Sequence, residues 1–326
     1  MKTQRRLPPV WMMGLTNVTF GMVASFAVTT VPQILAAQGV PGGHIAAITA
    51  AIISPSCWVF LFSPILDVRF RRRTYALVLG LLAASATAFI AFDHHNLLMV
   101  EIAAFTAVVA VTLYQGAVGG WMGSLIEREQ DGLLSSWFVA GSIAAGGMMA
   151  MAGEPILLYW PPVLASAFMF LVVASPMALF FFVPVPLPDK LLAAESFGRF
   201  WREVFSLFKR REVLIAVALF VLPSGSFSLT NVLAGIGGDY HASANMVSLL
   251  LGVGYIIAGG AGITLVPLLA KRFPLRPAYL GIGIIGALFT LGFPLLPRTP
   301  SNLRLGVYRR AHLPVVGAHR RNRHRL

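Results

Sequence analysis

Charge is what this chain has least of. Lys, Arg, Asp and Glu make up 11% of its 326 residues, against about 25% in a soluble globular domain. Too little polar surface is left to coat a water-borne core of this length. Lysine is rarer still and occurs only at Lys2, Lys190, Lys209 and Lys271. A single cysteine, Cys57, excludes an internal disulfide, and its place inside an apolar run predicts that it packs there. No Walker-type phosphate loop is present, which argues against ATP-driven work. His94 and His95 follow Asp93 on a short connection, but no second ligand cluster accompanies them. The sequence therefore predicts no metal, no cofactor and no enzymatic centre.

What the chain has instead is apolar length: 57% of it is hydrophobic and its mean hydropathy is +0.78. Runs of about 20 apolar residues recur, each able to cross about 30 Å of hydrocarbon as a helix. In lipid only helices or closed barrels satisfy every backbone group, and these runs are too long and too evenly apolar for barrel strands. The fold class is thus an all-α polytopic membrane protein. Nine spans are predicted, at roughly 12–36, 44–66, 74–92, 97–120, 133–153, 160–183, 213–235, 245–270 and 278–297. The basic start MKTQRR precedes an apolar region that runs to about Leu35, too long for a secretory signal. It reads as an uncleaved first span.

The sparse charge is placed unevenly. Connections 37–43, 93–96, 154–159 and 236–244 carry no Lys or Arg, and the opposite set holds seventeen basic residues. By the positive-inside rule the N-terminus and the basic loops are cytoplasmic, so the net charge of +13 predicts topology and not nucleic-acid binding. Glu154 and Asp239 are expected in outer loops. Between 184 and 212 lies a long basic connection that opens with VPVPLPDK, where prolines exclude helix. Then Phe197, Phe200, Trp201, Val204, Phe205 and Phe208 form one stripe with Arg199, Arg202, Lys209, Arg210 and Arg211 mostly off it. That pattern predicts an amphipathic surface helix, either a linker between two halves or a lipid-sensing element.

The chain also repeats itself. FAVTTV at 26–31 returns as FSLTNV at 227–232, and SPILDVRFRRRTYALVLG at 63–80 as LVPLLAKRFPLRPAYLG at 265–281. Two six-span units joined by a long cytoplasmic loop resemble the plan of the major facilitator superfamily. Asp67 followed by Arg71, Arg72 and Arg73 resembles in part that superfamily's signature loop, which a glycine usually opens; here Pro64 stands nearby instead. YQGAVGGWMGSLIEREQDG at 114–132 resembles the muropeptide permease and acetyl-coenzyme A transporter group. Gln115, Glu127, Glu129 and Gly132 fit that group, while Gly116 and Gly120 stand at its two aspartate positions.

The resemblance implies a six-helix N-terminal bundle (1–183), a cytoplasmic linker (184–212) and a C-terminal bundle of only three spans (213–297). It further implies a monomeric carrier of a small solute working by alternating access, in a bacterial inner membrane, with H+ as a candidate partner beside the lipid bilayer. Within the spans, polar residues line up by helical spacing: Ser25, Thr29 and Gln33 with Asn17 nearby; Thr112 and Gln115; Ser224, Ser228 and Asn231. In the superfamily the first, fourth and seventh helices line the cavity, which makes these residues the candidate substrate contacts. The competing reading is that Ser and Thr bond their own backbone or glue helices together. Glu101 is either a proton-linked group or a carboxylate that reaches the interface. Asp67 is expected to pair with Arg71 or Arg73 and to act as a gating latch. Small-residue faces GSIAAGGMMAMAG (141–153) and GVGYIIAGGAG (252–262) mark close helix contacts, and the resemblance puts them at the boundary between halves. Pro32, Pro55, Pro176, Pro223 and Pro267 are positioned to kink their spans.

Residues 298–326 contain eight arginines, three histidines and no lysine. Nine spans would put this tail outside, against the charge rule, and the superfamily plan has twelve. The sequence reading is a truncated chain with a frameshifted tail, or else a genuine basic tail that binds anionic lipid or nucleic acid. The expected function is a secondary or facilitative transporter of a small solute, muropeptide-, peptide- or siderophore-like, with a non-transporting membrane scaffold as the alternative.

Overall fold

The computed structural model describes residues 7–68, 70–185, 193–211, 213–215, 241, 243–254, 256–257 and 259–261, with isolated positions 281, 284, 285 and 288. Among the described residues six helices are long and apolar enough to cross a membrane: α1 (Val10–Ala37), α2 (Gly42–Asp67), α3 (Arg72–Phe92), α4 (Leu97–Gly123), α5 (Asp131–Tyr159) and α6 (Pro162–Phe181). These coincide with the first six predicted spans. The expected spans 213–235 and 278–297 fall almost wholly outside the described residues, as do Ser224, Ser228 and Asn231. A further helix, α7 (Ala193–Phe208), covers the aromatic stripe from Phe197 to Phe208. An eighth, α8 (Ala244–Leu249), runs into a π-turn at Leu250–Gly254.

One boundary needs correction. The fifth span was expected to stop at residue 153 with Glu154 in an outer loop, but α5 continues through Pro155 to Tyr159. Proline removes one N–H yet is tolerated in membrane helices when neighbours satisfy the freed carbonyl. Ile156 and Leu157 stay buried beyond it, so apolar periodicity outlasts the break.

Lipid supplies no hydrophobic drive between helices, so close backbone approach through small side chains must hold the bundle. The residues comply. α3 lays Ala76, Gly80, Ala83, Ala84 and Ala91, all buried, against α4 and α6. A Cβ on Gly80 would lie 3.1 Å from the Tyr114 ring. Tyr114 and Trp121 of α4 meet Phe180 of α6, at ring separations of 6.2 and 5.1 Å, and Trp121 Nε1 donates to the Pro184 carbonyl at 3.0 Å. Large apolar side chains such as Phe60, Val78, Leu98, Ile102, Leu171 and Phe181 face outward, as a lipid-facing surface requires. Cys57, expected to pack, is exposed on that outer surface.

The most enclosed helix is α1, with 72% of its apolar window buried against 28% to 44% for the other five. It packs chiefly on α5. A Cβ on Gly21 would strike the backbone of Ser142, and one on Gly153 would strike the Thr30 side chain. Pro176 opens the tightened last turns of α6, and Pro55 precedes a 3-10 stretch at Val59–Asp67 in α2. Pro32 follows a π-turn in α1, while Pro223 and Pro267 lie outside the described residues. α7 packs beside the Val59–Asp67 end of α2, with Trp201 and Phe205 still largely exposed.

Candidate functional site

α1 is interrupted twice, and both interruptions carry polar groups into the interior. The first is a turn at Thr16–Asn17. There Tyr114 Oη donates to the Thr16 carbonyl at 2.6 Å. Asn17 is buried and donates from Nδ2 to Ser142 Oγ at 2.8 Å. The second is the π-turn Phe26–Thr30, which falls on the repeated FAVTTV segment. Single π-turns inside helices recur at functional sites because they re-aim side chains. Thr29 and Thr30 are buried there, and neither hydroxyl has a hydrogen-bond partner among the described residues. Ser25, one turn earlier, is partly buried, with its Cβ side turned to Gly146.

One buried polar contact joins three elements. Gln33 of α1 donates from Nε2 to Ser248 Oγ at 3.1 Å, and Ser248 of α8 donates to Glu154 Oε2 of α5 at 2.9 Å. All three residues are buried, Glu154 to 3% exposure. Gln33 Oε1 is buried without a partner among the described residues. Glu154 is thus the carboxylate that sequence reasoning misplaced, and Ser142 and Ser248 are partners it missed. The Glu–Pro step at 154–155 read as a loop start; the ILLY run after it was the signal that the helix continues.

Small residues bring α5 and the 243–261 segment together, as the two glycine-rich faces predicted. A Cβ on Gly147 would sit 2.8 Å from the Gly252 carbonyl oxygen, and one on Gly252 would sit 2.7 Å from that of Gly147. Further along, a Cβ on Gly259 would meet the Ile143 side chain. The two segments therefore run antiparallel in contact, with Glu154 and Ser248 at the end where the basic residues are absent.

At the opposite, arginine-bearing end the latch partner differs from the expectation. Asp67 pairs with Arg72 at 2.5 Å, and not with Arg71 or Arg73. The reason is local geometry. Arg72 and Arg73 open α3, while Arg71 precedes the helix and is exposed. Arg72 extends across Gly120 of α4, whose missing side chain leaves the space its guanidinium fills. Arg73 lies over the Phe181 ring at 5.6 Å, tying α3 to α6. Tyr75 Oη donates to the Val68 carbonyl at 2.5 Å and closes the turn.

The other candidates divide. Thr112 donates to its own Val108 carbonyl at 2.7 Å, the backbone-bonding alternative. Gln115 is partly buried, one residue from Gly116, which faces Leu66 of α2. Glu101 is partly buried near the start of α4. His94 and His95 stack at 4.4 Å, and the His94 carbonyl accepts from Gln38 Nε2 at 2.6 Å. Burial, with His95 alongside, holds the His94 imidazole below its ordinary value, partly offset by Asp93. Among the described residues no three His, Cys, Asp or Glu side chains gather into a metal site.

The Major Facilitator Superfamily model matches residues 8–308. The backbone is similar to that of a D-xylose–proton symporter, with a TM-score of 0.60 at 16% identity, covering 94% of this chain and 80% of that one. It is similar to the nucleoside transporter NupG, crystallised as a mutant, with a TM-score of 0.66 at 16% identity, covering 94% and 79%. The inward open xylose transporter XylE from E. coli gives 0.56 at 15% identity, covering 94% and 81%. No curated protein sequence matches the chain. At these identities the solved structures speak for the fold.

Proposed function

Because the chain belongs to the major facilitator superfamily, we propose that it is a secondary transporter, moving a small solute across a membrane by alternating access. The observation that carries this reading is the polar interior of α1. Asn17, Thr29, Thr30 and Gln33 are all buried, and each keeps a side-chain oxygen with no partner among the described residues. Polar groups in a membrane interior are costly and belong where they meet a partner or a path. These lie where α1 meets α5 and α8, the contact across which two halves would rock.

The proposed pathway contacts are Asn17, Ser25, Thr29, Gln33, Thr112 and Gln115, with Ser224, Ser228 and Asn231 from the segment outside the described residues. All are uncharged donors and acceptors, which favours a neutral solute rich in hydroxyls and amides. Muropeptides, peptides and siderophore-like solutes supply such amides and hydroxyls but also carry charge, whereas the sugars and nucleosides named for the structural relatives are neutral. Asp67 with Arg72 is the proposed latch at the cytoplasmic side, in a bacterial inner membrane, with the N-terminus cytoplasmic. The proposed organisation is a first bundle to residue 183, a linker to 212 and a partial second bundle to 297.

The test is uptake by the full chain in sealed vesicles, using a labelled pentose, nucleoside, dipeptide and muropeptide. Saturable entry of one, lost in Gln33→Ala, supports the reading. No saturable flux for any of them favours the non-transporting scaffold.

A further inference from the structure

We propose that α7 binds anionic lipid: its Trp201–Phe205 edge enters the membrane surface at the arginine-bearing end, and Arg202 and Lys209 meet the headgroup charges. The site stands whether or not a solute is moved. The argument starts from an apolar stripe that the protein covers on one side only. Phe197, Phe200 and Val204, at i, i+3 and i+7, are half-buried, and α7 packs beside Val59–Asp67 of α2. Trp201 and Phe205, one turn apart on the next row, stay 39% and 60% exposed. The row is continuous, because the Trp201 ring lies 5.7 Å from that of Phe200 and 5.9 Å from that of Phe205. Aromatic rings, Trp above all, settle where an apolar region meets a wet one, as at a membrane interface.

Position and length favour the same surface. Val59–Asp67, on which α7 packs, turns Phe60, Phe62 and Ile65 outward, so an apolar exterior already runs beside α7. The 16 residues of α7 reach about 24 Å at 1.5 Å per residue, short of the roughly 30 Å of hydrocarbon. A short helix with charge along one side lies in the interface and does not cross it.

Charge selects the occupant. Arg199, Arg202, Lys209, Arg210 and Arg211 are exposed, and Glu203 is the one exposed acid among the described side chains from 197 to 211. Among the described residues none of these cations forms a salt bridge. Arg202 stands three residues before Phe205 and Lys209 four after it, spacings that bring both beside the exposed edge. Glu203, two residues before Phe205, falls on the opposite side of the helix. The apolar edge is therefore bordered by positive charge, the arrangement in which rings enter the interface while cations stay at the headgroups. Each cation close to an anionic leaflet strengthens attachment about fivefold.

The test uses the full chain in a Cys57→Ser background with Phe205→Cys carrying a nitrobenzoxadiazole fluorophore. It is reconstituted at low salt in vesicles of phosphatidylcholine alone, or of phosphatidylcholine and phosphatidylglycerol in equal parts. With phosphatidylglycerol the emission should shift to the blue and be quenched by a nitroxide carried near the lipid headgroup; without it both effects should weaken. Adding Arg202→Gln and Lys209→Gln should raise the ratio of free to docked label about 25-fold in the phosphatidylglycerol vesicles. Raised salt should act in the same direction on the chain that keeps both cations. A label equally buried in both vesicles overturns the proposal, since the apolar edge then suffices alone. A label equally exposed in both also overturns it and leaves the face to a soluble acidic partner. A full response to phosphatidylglycerol without Arg202 and Lys209 overturns it as well.

Discussion

Replacing Gly147 with alanine should push the α5–α8 interface toward its parted state. A Cβ there lies 2.8 Å from the Gly252 carbonyl oxygen, and ordinary contact begins near 3.4 Å. The backbone oxygen must therefore retreat by roughly 0.6 Å, the difference between those two distances, whereas the Ile256 side chain nearby can rotate. Overpacking of a close contact costs about 1–3 kcal/mol. If that falls on the closed state alone, the closed-to-open ratio drops by about 5- to 150-fold. Ser248 reports it, being 5% exposed when closed. In a Cys57→Ser background, which removes the exposed native thiol, a Ser248→Cys probe should react with a water-soluble maleimide faster by that factor once Gly147→Ala is added. Gly119→Ala is the control, since its Cβ meets only a Phe138 ring atom at 3.8 Å. Equal labelling rates with and without Gly147→Ala would refute the reasoning.

Three further outcomes are expected. Asp67→Asn removes a partly exposed ion pair worth about 1 kcal/mol or less, so membrane insertion and thermal stability should barely change while flux falls; unchanged flux would sink the latch. Gly120→Ala places a Cβ where the Arg72 guanidinium runs, and should reproduce the Asp67→Asn phenotype without touching either charge, a match read by uptake of both variants side by side. His94 is held below its ordinary value by burial and by His95, so the folded chain binds fewer protons there than the unfolded one. Its contribution to stability is complete above the unfolded value of about 6.5 and declines as pH falls through it. Thermal unfolding between pH 8 and pH 5 should show that loss, and His94→Gln should flatten it.

The spanning helices of the first 181 residues were legible because lipid permits few solutions. Apolar runs of spanning length located all six helices from Val10 to Phe181, and the aromatic stripe from Phe197 to Phe208 located α7. The glycine faces of α5 and 252–262 also proved to be contacts, since close packing in lipid selects small residues. Side-chain partners were not legible. Helical spacing put Asp67 within reach of several arginines, but the choice of Arg72 depends on the space over Gly120, a fact of a different helix. Glu154 was misplaced because Pro155 carries the local signal of a break, while the packing of Ile156 and Leu157 decides the outcome. The π-turn at Phe26–Thr30 has no signature beyond the repeat on which it falls. The Gln33–Ser248–Glu154 chain spans sequence separations of 215 and 94 residues, distances at which one sequence carries no pairing information.

Alternating access is most directly tested by measuring both ends of the molecule at once. Spin labels at the exposed positions His44 and His241 report the charge-poor end, and labels at the exposed positions Gly123 and Leu214, the latter beside Arg210 and Arg211, report the arginine-bearing end. On adding a solute that gives saturable uptake, the account predicts that one distance lengthens as the other shortens. Two distances that stay fixed, or that change in the same sense, would contradict it.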